Sequence, residues 1–354
     1  MSLKPIQSLE TLHDYLYAAI QLEHATIPTY LTTAYSIHPG TNLDAVQVLR
    51  VVAVEEMLHM TLSANILNAV GGKVNLTQRG FVPDFPTYLP DGETDFQVNR
   101  ERFSKSAMET FLRIERPAKA EDHGRRFVKS QGRRVHIFPT HKTDEGDDLH
   151  FYSIGEFYHA IQLGIEHLCE ELGEAKVFSG DRARQVTPEY YYSGGGEIIP
   201  VYDLASAKAA IRLISEQGEG FESAIADYEG EISHYYRFDQ IAKGRYYRAG
   251  DFHDRPTGDP VEVNWDAVYP IKTNVKVADL PEGSDVHQAA IEFNRTYKDF
   301  LASLTAAFDG QPQCLLPAVG GMFQIKEKAC QLIRNPIPGS DGLHAAPTFE
   351  MESV

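Results

Sequence analysis

Apolar residues recur every three or four positions over several long stretches, which is the spacing of one buried face of an α-helix. The pattern predicts helices at about 8–35, 42–70, 106–114, 153–178, 203–217, 221–246, 286–308 and 322–334. Ser8 is a suitable N-cap for the first helix, and Gly71 with Gly72 is a suitable stop after the second. The intervening segments, above all 73–148 and 247–283, are irregular and rich in proline, glycine or charge. The chain is therefore expected to be all-α.

Acids and imidazoles interrupt the apolar seams of three predicted helices near their middle. On the second helix, Glu56 and His59 occupy core positions of a seam that reads Ala45, Leu49, Val52, Glu56, His59, Ser63, Ile66 and Val70. Glu231 and His234 do the same on the 221–246 helix, and Glu23 falls on the seam of the first helix. A buried carboxylate is costly unless it is paired or bound to a metal. These positions are candidate ligands.

The Glu-x-x-His motif occurs four times, as Glu10/His13, Glu56/His59, Glu156/His159 and Glu231/His234. On a helix it places a carboxylate and an imidazole on adjacent turns of one face, where both reach one ion. A single copy is more often a solvated pair, so the position on a seam selects the second and fourth copies. One Glu from each of two helices and Glu-x-x-His from two others form a dinuclear carboxylate site. A buried salt-bridge network is the alternative.

The third-helix donor of such a site is left open by periodicity. Glu156 lies beside the apolar stripe of its helix rather than on it, and Glu166 and Glu170 are rivals. His159 and Asp227 can act as outer partners of the ligands, or only pack and cap a polar pocket. Tyr30, on the Glu23 face, can approach the metal or belong to the core.

Composition narrows the function. Lys plus Arg total 33 against 50 Asp plus Glu, a net charge of −17, which argues against nucleic acid and anionic membranes as partners. No stretch approaches the ~20 continuous apolar residues of a membrane span, and a secretory signal is not expected. The three cysteines are widely spaced and form no disulfide framework, so a cytoplasmic location is expected.

Five segments resemble, in order, the ferritin-like domain of the iminophenyl-pyruvate dimer synthases, the type of domain found in violacein-type biosynthesis. They read QLEHATIPTYL, VEEMLHMTLSANILNAVGG, SIGEFYHAI, SEQGEG and EISHYYRFDQI, and the resemblance covers about residues 8–245. It implies a ferritin-like four-helix bundle at 1–246 with an insertion at about 73–148. Residues 247–354 would add an irregular segment and C-terminal helices packed on the same domain. The implied metal ligands are Glu23, Glu56, His59, Glu156, Glu231 and His234, and the match at GEFYHAI favours Glu156 over its rivals.

The expected function follows from this ligand set. Two iron ions, or manganese in place of one or both, would be bound by Glu23 with His59 and by Glu156 with His234. Glu56 and Glu231, or their neighbours, would bridge the two ions. Such a centre would use O₂ to oxidise a small amino-acid-derived or aromatic substrate. A homo-oligomer is compatible with this hypothesis. The alternative is a non-catalytic protein, either a metal-stabilised scaffold or a partner subunit of a biosynthetic assembly.

Overall fold

The computed structural model describes residues 6–90, 95–117, 151, 153–191, 194–220, 225–226 and 230–351. Within these ranges the regular structure is helical, and β-pairing is limited to isolated bridges. The α-helices are α1 (Leu9–Ser36), α2 (Leu43–Ala69), α3 (Lys105–Ile114), α4 (Ile154–Leu172), α5 (Glu174–Val177), α6 (Leu204–Glu219), α7 (His234–Lys243), α8 (Asp285–Phe308) and α9 (Leu315–Ile333). The prediction of an all-α fold is confirmed.

The long helices α1 and α2 pack along each other and form the centre of the molecule. Ser8 caps α1 by accepting a hydrogen bond from Thr11 N at 3.1 Å. After α2 the chain turns at Gly71, whose φ is +82°, and at Gly72, where a Cβ would lie 2.1 Å from Leu67 Cδ1. The glycine pair ends α2 as expected, because one position needs a positive φ and the other has no room for a side chain.

The remaining helices surround this pair. Helices α4 and α6 pack on each other, with α4 against α1 and α6 against α2, while α7 contacts α2, α3 and α6. Helices α8 and α9 pair, with α9 also contacting α1 and α8 contacting α2. One continuous apolar core runs through all of them, so residues after 247 share the core of the bundle. Among the residues described, none of the helices combines the length and apolar character that a bilayer crossing requires.

The fourth long helix is shorter than the predicted 221–246, which is the main correction to the fold. Helix α7 begins at His234, and Ser233 before it has an extended backbone. Gly230 has φ +86°, and Ser233 N donates to Ile225 O at 3.1 Å. Glu231 therefore precedes the helix, and the argument that Glu-x-x-His shares one helical face does not apply there. The predicted role of Asp227 lies outside the described residues.

Arg100 ties the C-terminal segment to the bundle. Its buried guanidinium donates to the carbonyl oxygens of Pro347 and of Val275, the latter at 3.2 Å. The guanidinium carbon also lies 5.1 Å from the ring centroid of Phe85 and 5.8 Å from that of Phe349. A buried cation with carbonyl acceptors and aromatic faces stabilises the folded state only while all these partners are present.

Arg100→Ala is therefore expected to lower the free energy of unfolding by about 3 kcal/mol, because two carbonyls lose their donor and a cavity opens beneath two rings. Denaturant unfolding followed by circular dichroism measures this change. Arg248→Ala is the control, since Arg248 is exposed and pairs with Asp259 at the surface, and it is expected to change the free energy by less than about 0.5 kcal/mol. Equal losses in both variants would contradict this role of Arg100.

Candidate metal centre

Four of the six sequence-predicted ligands meet in the middle of the bundle. Among the described residues, two groups of side chains have ligand atoms that all lie within 4.8 Å of one another. The first consists of Glu23, Glu56 and His59, and the second of Glu56, Glu115 and His234. Glu56 belongs to both groups, so the arrangement can hold two metal ions that share one carboxylate.

Each ligand is positioned by a different part of the fold. Glu23 lies near the middle of α1, and Glu56 and His59 lie one turn apart on α2. His234 is the first residue of α7, and Glu115 is the C-cap of α3. All five side chains are buried, with relative exposures of 3% or less. Such burial is unfavourable for carboxylates that lack a cation or a hydrogen-bond donor.

Both imidazoles turn Nδ1 towards the carboxylates. His59 Nδ1 lies 3.6 Å from Glu23 Oε2 and 3.6 Å from Glu56 Oε2. His234 Nδ1 lies 3.0 Å from Glu56 Oε1 and 3.5 Å from Glu115 Oε2. The two rings are stacked, with centroids 5.4 Å apart and an interplanar angle of 24°. The two halves of the site therefore have the same donor arrangement, an Nδ1 with two carboxylates.

The opposite ring nitrogens have polar partners that fix the tautomer. His59 Nε2 lies 2.8 Å from Gln217 Oε1, while Gln217 Nε2 donates to Gly195 O at 2.7 Å. His234 Nε2 lies 2.8 Å from Glu55 Oε2, and Arg237 holds Glu55 at 2.7 Å. A proton on each Nε2 satisfies these acceptors and leaves each Nδ1 lone pair free to bind a metal.

Glu55 is the ionised member of this outer set. Burial opposes its ionisation, but the hydrogen bond from His234 and the charge of Arg237 outweigh that effect, and the pKa of Glu55 falls to about 2. A permanent carboxylate on His234 Nε2 makes the imidazole a stronger electron donor at Nδ1. The neutral amide of Gln217 does the same less strongly for His59, so the two halves differ in their outer partners.

Gln217→Leu is expected to weaken metal binding to the His59 half by about 10–100-fold, because the imidazole loses the acceptor that holds its ring and tautomer. Equilibrium titration with Mn(II) measures the two affinities. Gln288→Leu is the control, since that amide bonds only Glu292 on the surface of α8 among its described hydrogen bonds. Unchanged affinity in Gln217→Leu would contradict the orienting role.

Two buried tyrosines donate hydrogen bonds to Glu23 and Glu115, the two carboxylates that each belong to only one ligand group. Tyr158 Oη donates to Glu23 Oε1 at 2.5 Å and lies 2.8 Å from Ser63 Oγ. Tyr30 Oη donates to Glu115 Oε1. Burial, reinforced by the neighbouring carboxylates, raises the pKa of both phenols well above the ordinary value, so they stay protonated donors. Each donor leaves the other carboxylate oxygen facing an imidazole.

Protons in this structure balance part of the carboxylate charge. Burial raises the pKa of Glu23 to about 7. Burial and Glu115 oppose ionisation of Glu56, but the neighbouring imidazoles of His234 and His59 prevail and lower its pKa. Against the effect of burial, the neighbouring carboxylates of Glu23 and Glu56 raise the pKa of His59 to about 10, and those of Glu115 and Glu55 raise the pKa of His234 well above its usual range. A bound metal would replace these imidazolium protons.

One orphaned atom tests whether a metal fits. His234 Nδ1 is buried without a hydrogen-bond partner, although Glu56 Oε1 lies 3.0 Å away. A ring nitrogen that faces carboxylate oxygens without a hydrogen bond to them is suited to bind a cation between them once its proton is released. Three carboxylates and two imidazoles are a donor set that iron, manganese and zinc accept. The residues therefore fit a dinuclear centre.

Glu156 and Glu231 are not members of either group. Glu156 lies in the first turn of α4, where Ser153 Oγ accepts from its backbone N–H at 3.2 Å, and its side chain is partly exposed. The α4 residue that reaches the centre is Tyr158, two positions later. The Glu231 side chain is 69% exposed and lies 3.4 Å from Arg237. A ligand role for Glu156 or Glu231 stays a prediction.

The two alternatives to Glu156 on α4, Glu166 and Glu170, are not members of either ligand group. Glu166 pairs with Lys208 at 2.6 Å, which lowers its pKa, and Glu170 is exposed. His159 is exposed as well. Glu115 is not among the predicted ligands, because it lies just beyond the end of the predicted helix at 106–114 and outside the segments that carry the family resemblance. A signal for it exists, since Met108, Phe111 and Glu115 continue the three-and-four spacing of the buried face of α3.

A narrow cleft leads to the His59 half of the site. It is lined by the start of α4 and the end of α6, and its walls consist of Glu23, Glu56, His59, Glu115, Ile154, Gly155, Ile214, Ser215, Gly218 and Glu219. The cleft has a volume of about 10 Å³, which is about the space of one water molecule. A larger molecule reaches the centre only if α4 and α6 move apart.

A helical bundle with carboxylates and imidazoles at its centre defines the class of ferritin-like proteins. A family model described as Ferritin-like matches residues 16–243 of this chain, which therefore belongs to the ferritin-like family. The matched region contains all five residues of the two groups. The resemblance and fold class expected from the sequence are confirmed.

Two comparisons extend this result. The chain is 26% identical over 326 residues to dichlorochromopyrrolate synthase of Lentzea aerocolonigenes, covering 85% of this chain and 29% of that protein. The chain thus spans less than a third of the length of this curated relative. A crystal structure of a ferritin-like protein from Caulobacter vibrioides at 22% identity has a TM-score of 0.66, covering 98% of this chain and all of that one. That similarity shows the shared fold.

Proposed function

We propose that the protein is a dinuclear metal oxidase. The observation that carries this proposal is the sharing of Glu56 by two groups of ligand atoms in one buried site. Glu23, Glu56 and His59 would hold one ion, and Glu56, Glu115 and His234 the other. Iron is the proposed metal and manganese the alternative, because both accept carboxylate and imidazole ligands.

Neighbouring side chains hold the proposed metal ligands in place. Tyr158 and Tyr30 hold Glu23 and Glu115 in place, and Gln217 and Glu55 hold the two imidazoles. Burial of the five ligands keeps bulk water away from the reacting atoms. Two ferrous ions, when bound, would supply electrons for the reduction of O₂. The protein then has only to admit O₂ and a substrate through the cleft between α4 and α6.

The proposed substrate is a small amino-acid-derived or aromatic molecule. The support is the named relative, a synthase whose sequence aligns with 85% of this chain. This chain covers only 29% of the length of that relative, so the reaction of the whole relative cannot be assigned to this chain. The proposal is therefore limited to a substrate class and to O₂ as the oxidant.

A metal-stabilised scaffold is the second candidate, and the size of the cleft favours it. At about 10 Å³ the cleft admits O₂ or water but no aromatic molecule without movement of α4 or α6. In a scaffold the ions would hold α1, α2, α3 and α7 together and no substrate would need to enter.

Reaction with O₂ distinguishes the two candidates. Protein purified under iron-replete conditions should contain close to two iron ions per chain. Anaerobic reduction followed by exposure to O₂ should then produce a ferric absorbance change that recurs in each cycle of reduction. An oxidase should also consume O₂ faster when small aromatic amino-acid derivatives are added. Two bound ions without O₂ consumption would support the scaffold, and absence of bound metal would contradict both.

A further inference from the structure

We propose that Glu219 is a fourth carboxylate of the metal centre, held on the backbone of α4 in this structure and able to turn into the cavity as a ligand. The inference rests on the proposed function. Glu219 is the last residue of α6 and lines the cleft together with Glu23, Glu56 and His59. It was not among the sequence-predicted ligands.

The carboxylates of the two ligand groups carry one negative charge fewer than two divalent cations need. Two divalent cations carry four positive charges, whereas Glu23, Glu56 and Glu115 supply three negative ones and neutral imidazoles supply none. Glu55 does not fill the gap, because Arg237 lies 2.7 Å from it and balances its charge. An uncompensated charge in a buried site is costly. A fourth carboxylate that lines the same cavity removes that cost.

Glu219 is placed where it can move. Gly220, directly after it, has φ +92°, so α6 ends at Glu219. Its Oε1 accepts a hydrogen bond from Gly155 N at 2.7 Å, at the start of α4. A Cβ at residue 155 would lie 2.5–2.6 Å from the carboxyl atoms of Glu219, so this contact depends on glycine at that position. A hydrogen bond from a backbone N–H is a weaker interaction for a carboxylate than coordination of a metal ion.

The same turn of α6 is already connected to the centre. Gln217, two residues before Glu219, bonds His59 Nε2 at 2.8 Å. Movement of Glu219 from Gly155 towards the ions would therefore take place beside the His59 half. It would also break the hydrogen bond that joins Glu219 of α6 to Gly155 of α4 at the cleft.

Anaerobic titration with Co(II), followed by absorbance and calorimetry, tests this proposal. The wild-type chain should bind two Co(II) ions, and Glu219→Gln should weaken one of them by about tenfold or more because the charged donor is lost. Glu216→Gln is the matched control on the same turn, since Glu216 pairs with Arg212 and does not line the cavity. It should bind both ions as the wild type does. Wild-type affinities in Glu219→Gln would overturn the proposal.

The variant Gly155→Ala distinguishes a Glu219 that binds metal from a Glu219 that only stabilises the start of α4. The added Cβ displaces the Glu219 carboxylate from α4, so a ligand should remain able to bind and both Co(II) affinities should be retained or increased. If Glu219 acts only by bracing α4, Gly155→Ala should weaken binding as much as Glu219→Gln does, and that result would overturn the proposal. Failure of the wild-type chain to bind two ions would instead refute the proposed function itself.

Discussion

Replacing Glu56 with alanine is expected to remove both metal ions at once. Glu56 is the only member common to the two ligand groups of the described residues, and its two oxygens face different imidazoles. Its loss leaves one carboxylate and one imidazole in each of the two groups. Loss of a hydrogen-bond partner of a ligand typically lowers metal affinity by about 10–100-fold, and loss of the ligand itself should lower it further. Elemental analysis of protein purified with iron should show a fall from close to two ions per chain to near zero.

Two further variants keep this test independent of folding. Glu56→Gln preserves the shape and removes the charge, so it should bind poorly while its circular dichroism matches that of the wild type. Glu166→Ala is the control, because Glu166 pairs with Lys208 away from the centre and should leave both ions in place. Full metal content in Glu56→Ala would exclude a shared carboxylate, and loss of a single ion would exclude the pairing proposed here.

The sequence predicted those parts of the centre that lie within regular helices. Glu23, Glu56 and His59 interrupt apolar seams of α1 and α2, and the structure buries all three together. Periodicity works there because a helix that is buried on one side converts sequence spacing into direction. The same spacing also places Glu115 on the buried side of α3, together with Met108 and Phe111.

The helix prediction was wrong just before α7, where the predicted ligand Glu231 lies. Glu231 was assigned on the assumption of a continuous helix through His234, but Gly230 has a positive φ and α7 begins only at His234. Spacing of three residues carries no direction outside a helix. The ligand role of Glu156 also stays a prediction, since Glu156 lies in the first turn of α4, while Tyr158 on the next turn reaches the centre. Ser233 makes no side-chain capping hydrogen bond, so local sequence does not mark the start of α7 in the way that Ser8 marks the start of α1.

Long-range partners were also beyond the sequence. Gln217 is 158 positions from His59, and Glu55 is 179 positions from His234. Nothing in the local pattern of either residue indicates an imidazole partner. Only the packing of α6 and α7 on α2 brings these pairs together. Outer partners of a metal site are therefore found from the fold rather than from motifs.

Glu115→Gln is expected to remove one metal ion and leave the other, whereas Glu231→Gln is expected to leave both. Glu115 lies 3.5 Å from His234 Nδ1 and is buried, and the Glu231 side chain is 69% exposed. The amide at position 115 still accepts the hydrogen bond from Tyr30, so the change removes charge with little loss of packing. Metal content and Co(II) titration measure both variants. Because His59, Glu23 and Glu56 are intact in Glu115→Gln, the remaining ion should occupy the His59 half.

The reverse result would restore the ligand set implied by the family resemblance. If Glu231→Gln lost an ion and Glu115→Gln kept both, the segment before α7 would have to turn inward when metal binds, with Arg237 releasing Glu231. Such a rearrangement would place the Glu231 carboxylate next to His234 and leave Glu115 as a hydrogen-bond partner of Tyr30 alone. The pair of variants thus decides whether the ligand set includes the end of α3 or the segment that precedes α7.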